Sequence, residues 1–139
     1  MPSNPFGDDL FEAGLKVRRE VLGDDYVNQA LQKQPKSFTQ PLQDIVTKAA
    51  WGMVWTRPGL TRAQRSMLNF ALLPTLNRPE EFKLHLRGAI KNGVSKAQIQ
   101  EILLHMSMYA GMPAAVSAFK IADEVLKDVE DVPGRNSKL

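Results

Sequence analysis

WGMVWTRPGLTRAQRSMLNFALLPTLNRPEEFKLHLRGAIKNGVS, residues 51–95, is the stretch whose reading decides the fold. Its apolar residues recur at helical spacing, and its interruptions are helix punctuation. Arg57-Pro58-Gly59 breaks one helix, and Thr61 caps the next, whose later part (MLNFALL) reads as buried. Pro74 and Asn77 end or kink that helix. Pro79 opens another, with Phe82, Leu86, Ala89 and Ile90 on its core face, and Gly93 stops it after Asn92. Nothing here alternates apolar and polar residues as a half-buried strand does.

The same signs continue in both directions. Ser95 and Gln98 form a capping box for a helix with Ile99, Ile102, Leu103, Met106 and Ala110 inward, ended by Gly111. Pro113 begins a last helix through about Asp128. Upstream, Pro41 sits in the first turn of a helix showing Leu42, Ile45, Val46, Ala49 and Met53, with Thr47, Trp51 and Trp55 as an adjacent stripe. Asp24 caps a short helix that Pro35 ends, and Leu10 to Leu22 forms another closed by Gly23. The expectation is an all-α, single compact domain spanning 1–139, of about six to seven helices. Residues 1–9 read as irregular and 129–139 as a flexible tail.

Composition narrows the function. The 139 residues carry 43% hydrophobic and 24% charged side chains, ordinary globular values, with a net charge of +3. With no cysteine, thiol nucleophiles, disulfides and thiolate metal sites are excluded. No apolar run approaches a membrane span, and no basic stripe interleaved with aromatics suggests nucleic acid. Ser137-Lys138-Leu139 matches the tripeptide read by the peroxisomal import receptor, so the expected location is the peroxisome in a eukaryote and the cytoplasm otherwise.

Charge then singles out a site. From Ile45 to Pro79 there is no Asp or Glu, yet Lys48, Arg57, Arg62, Arg65 and Arg78 all fall there. A one-signed segment holding both tryptophans suits a small anion, since guanidinium forks match carboxylates bidentately. Arg62 and Arg65 lie one turn apart at a helix start, and Arg65 sits deeper in the helix. Trp51 and Trp55 can wall a pocket, although an aromatic pair at this spacing is more often core. Arg78, Glu81 and His85 share one helix face. A carboxylate one turn before an imidazole can orient it and favour its protonated form, giving an acid usable near neutral pH. On spacing alone, an exposed pair of no consequence is the simpler reading. Glu101, His105 and Tyr109 make a second polar stripe, with His105 and Tyr109 held in reserve, and no metal motif is present.

Four segments together carry a family resemblance: GLKVRREVLGDDYV (14–27), WGMVWTRPGLTRAQRS (51–66), HLRGAIKNGVS (85–95) and YAGMPAA (109–115). In order and spacing they resemble the carboxymuconolactone decarboxylase family, over about Leu10 to Leu126, and its decarboxylase branch more than its alkylhydroperoxidase branch. The resemblance implies an alkylhydroperoxidase-like fold and conversion of 4-carboxymuconolactone into 3-oxoadipate enol-lactone and carbon dioxide, without cofactor or metal. It implies that His85 is the catalytic proton donor, oriented by Glu81, and that Arg65, Arg62, Arg57, Arg78 and Trp51 bind the anionic substrate. It also implies a homo-oligomer, a hexamer built as a trimer of dimers. Where the peroxidase relatives carry C-x-x-C-x-x-x-H, this chain has Arg78 and Glu81 at the cysteine places, which removes peroxidase chemistry. Another lyase, isomerase or dehydratase acting on an unsaturated acid or lactone stays open, as does a non-catalytic binder of small organic anions.

Overall fold

The computed structural model describes residues 7–32 and 37–130. Every regular element among them is helical, in agreement with the all-α reading. The α-helices are α1 (Asp8–Leu22), α2 (Asp24–Gln32), α3 (Gln40–Val46), α4 (Arg62–Thr75), α5 (Pro79–Lys91), α6 (Lys96–Ala110) and α7 (Met112–Glu130). A π-helical segment, Thr47–Val54, follows α3. None of these helices is long and apolar enough to cross a membrane. Pro35, most of the 129–139 tail and Ser137-Lys138-Leu139 lie outside the described residues. The described residues fall into two compact units, one through Arg62 and one from Ala63 onward.

In the first unit, α1 packs chiefly against the π segment. The contact is backbone on backbone. A Cβ at Gly14 would overlap the carbonyl oxygen of Thr47 and come within 2.8 Å of the Gly52 nitrogen. One at Gly52 would lie 2.6 Å from the Leu10 carbonyl. Arg18 reinforces the crossing. Its guanidinium is buried and donates to Thr47 Oγ1 at 3.1 Å and to Gln43 Oε1 at 2.8 Å. Thr47 in turn donates to the Gln43 carbonyl at 2.7 Å.

The π segment departs from the single α-helix expected over Pro41 to Trp55. Its wider turn is seen in the bond from the Trp55 N–H to the Ala50 carbonyl, five residues back. Trp51 is buried there and stacks on Trp55, with ring centroids 4.7 Å apart. Leu42, Ile45 and Met53, expected to face a core, are instead 59%, 59% and 49% exposed.

The second unit is a helical core of Phe70, Phe82, Leu86, Ile99, Leu103, Met106, Ala118 and Val125, among others. Phe70 of α4 meets Phe82 of α5 edge to face at 6.2 Å, which ties those two helices together. The capping box forms as the sequence indicates: the Gln98 N–H donates to Ser95 Oγ, and the Ser95 N–H to Gln98 Oε1. Pro74 lies inside the last turn of α4, and the chain leaves it through Asn77 at φ 56°, with the Arg78 N–H reaching the Leu73 carbonyl.

Candidate active site

His85 occupies the middle of α5, one residue before the fully buried Leu86 and three after the fully buried Phe82. Its ring is half-buried, and Nδ1 lies 3.4 Å from Nδ2 of Asn69 on α4. Burial pulls the imidazole down to about 4, and the carboxylate of Glu81 offsets only part of that. The ring is therefore neutral at pH 7. Glu81 acts in the anticipated direction, toward the protonated form, but it is exposed, and its charge is diluted by solvent.

Arg57 and Arg62 belong to the first unit, and Arg65 and Arg78 to the second. Arg65 is half-buried on α4, one turn before Asn69 and hence on the side of the helix that meets His85. Arg62, in the first unit, forms an ion pair with Glu20 of α1. The acid-free run is thus not acid-free in space, because α1 supplies the missing carboxylate. Arg57 is exposed in the same unit.

Arg78 is exposed at the N-cap of α5 and borders a hollow of about 270 Å³, shared with Thr75, Asn77, Phe82, Pro113 and Ser117. Neither Glu81 nor His85 lines that hollow. Trp51 and Trp55 form their stack in the first unit. His105 and Tyr109 are exposed on α6 and stack on one another at 5.0 Å.

Two residues outside the expected catalytic and binding set stand out. Asn69 is a polar position inside MLNFALL, spaced one helical turn from Arg65, and that spacing was a readable signal. Arg18 falls on the buried stripe of α1 with Gly14, Val17, Val21 and Leu22. Burial lowers the pKa of its guanidinium, partly countered by Tyr26, and Nε has no hydrogen-bond partner.

Known proteins resemble this chain, two of them over most of its length. The 4-carboxymuconolactone decarboxylase of Acinetobacter baylyi is 43% identical over 128 residues, 92% of this chain and 95% of its own. The nitrosuccinic acid decarboxylase of Metarhizium robertsii is also 43% identical, over 88% of this chain and 85% of its own. An uncharacterized 15.0 kDa protein of Paracoccus denitrificans is 29% identical over 58% of this chain and 62% of its own. Residues 40–124, from the start of α3 into α7, match the model of one family along their whole run, and by that match and these identities the chain belongs to the carboxymuconolactone decarboxylase family.

Proposed function

We propose that the protein is a cofactor-independent carboxy-lyase, removing one carboxylate from a small dicarboxylic lactone, 4-carboxymuconolactone. The observation that carries this reading is the 43% identity, over almost the whole of both chains, to a decarboxylase of that lactone. The chemistry explains why the chain's own residues suffice. The departing carboxylate sits on a ring carbon joined through a C=C bond to the lactone carbonyl. As carbon dioxide leaves, its bonding pair moves through that path onto the carbonyl oxygen. One proton is then added at the carbon alpha to the carbonyl, which gives the enol-lactone.

Equal likeness to a nitrosuccinic acid decarboxylase sharpens the substrate class. Both acids place the departing carboxylate, a carboxymethyl arm and a path to an electron sink on one carbon. In one the sink is the lactone carbonyl, and in the other it is the nitro group. Nitrosuccinate is accordingly the second candidate substrate.

Three tasks fall to the protein. Arg65 anchors the carboxymethyl arm with a charge-assisted pair. The neutral His85 donates a hydrogen bond to the oxygen on which charge develops. A neutral imidazole is a poor acid toward carbon, so the proton that ends on carbon comes from water. Glu81 trims the burial shift of the ring. Arg65→Ala is expected to raise KM for the dianion about 10-fold or more while changing kcat less, as loss of binding common to ground and transition states does.

Assembly belongs to the same reading. Leu68 and Leu72 of α4 are 52% and 53% exposed, and Leu104, Met108, Met112 and Val116 of α6 and α7 are likewise open to solvent in the single chain. Apolar faces of this extent are normally covered. We expect light scattering to report a homo-oligomer, a hexamer on the family pattern, and Leu68→Asp with Leu72→Asp to reduce its mass.

The function is tested by incubating purified protein with 4-carboxymuconolactone and following lactone absorbance and carbon dioxide together. Equimolar release with turnover is expected. Saturable binding without release would instead identify a binder of small anions.

A further inference from the structure

A hydrogen-bond donor works in a reaction only if its proton is held on the right atom, and α4 supplies the group that holds it. Asn69 is a half-buried amide flanked by Leu68 and the fully buried Phe70, and its Nδ2 faces Nδ1 of His85 at 3.4 Å. An amide nitrogen carries two hydrogens and offers no lone pair to a donor. With that nitrogen opposite Nδ1, the ring nitrogen must be the acceptor. The single proton of the neutral ring must then lie on Nε2.

We infer that Asn69 is a positioning residue that fixes His85 as its Nε2–H tautomer, so that the ring meets the developing oxyanion as a donor. Only the last clause rests on the decarboxylase reading, because the tautomer is a property of the protein alone. The same contact works against an imidazolium. A proton on Nδ1 would set N–H against N–H and break the bond to Asn69. Of the charges on the two helices, Glu81, one turn before the ring on α5, favours protonation. Replacing the amide by a carboxylate reverses the logic: Asp at position 69 would accept from Nδ1–H and stabilise the cation.

The test is a two-bond 1H–15N correlation spectrum of the histidine rings in the full chain at about pH 7, with His105 assigned through His105→Gln. Wild type should show an unprotonated Nδ1 and a protonated Nε2 at His85. Asn69→Asp should shift His85 to the doubly protonated pattern at the same pH. Asn69→Leu, close in volume, should leave both tautomers populated and lower kcat about 10-fold or more, with KM changed by less than about 3-fold. A proton on Nδ1 in wild type overturns the proposal, and so does an Asn69→Leu variant with the wild-type spectrum and rate. Absence of turnover with the Nε2–H pattern intact supports the tautomer and counts against the decarboxylase reading instead.

Discussion

His85→Ala is expected to lower kcat on 4-carboxymuconolactone by ~10²–10³-fold, with KM nearly unchanged. The magnitude is that of losing one donor to a developing oxyanion in a partly desolvated site. The partition follows from where the interaction is made. The lactone carbonyl oxygen carries little charge in the bound substrate and much more once the C–C bond begins to break, so the donor counts chiefly in the transition state. Steady-state kinetics on the folded variant checks this. His85→Gln keeps an N–H donor and should recover part of the loss. A larger effect on KM than on kcat would make His85 a binding residue.

The second large effect is on the fold. Gly14→Val and Gly52→Val are each expected to destabilise the protein by about 3 kcal/mol or more, visible as a fall in Tm of roughly 10 °C. Neither position has room for even the first side-chain carbon. At Gly14 the obstacle is the Thr47 carbonyl and the Gly52 backbone, and at Gly52 it is the Leu10 carbonyl. Backbone atoms cannot swing aside as a flexible side chain can, so the helices must separate. Separation would also break the bonds from Arg18 to Thr47 and Gln43 and leave a guanidinium without its partners. Gly59→Val, where a Cβ meets nothing within 4 Å, is the control and should leave Tm within a few degrees.

How much of this was legible in the sequence depends on whether the cause is local. Pro79, Gly93, Ser95 with Gln98, and Gly111 punctuate the helices through their own chemistry, and the elements they bound appear in place. The π segment was not legible, because its wider turn accompanies a backbone contact between Gly14 and Gly52, and apolar spacing does not encode that contact. Arg62 teaches the same lesson about charge. The run from Ile45 to Pro79 lacks acids along the chain, yet Glu20 reaches Arg62 from another helix. At His85 the partner Glu81 could be read from spacing, whereas the burial that outweighs it could not. Asn69 lay in plain view, but its meaning required α4 and α5 side by side.

The pH dependence of kcat/KM for lactone decarboxylation, from about pH 5.5 to about pH 8, tests the central claim most directly. A ring drawn down to about 4 keeps its neutral form throughout that window, so the rate attributable to His85 should stay level and change only as acid approaches that value. A decline centred near the ordinary histidine value of about 6.5, present in wild type and absent in His85→Ala, would mean that an imidazolium does the work and would contradict the account.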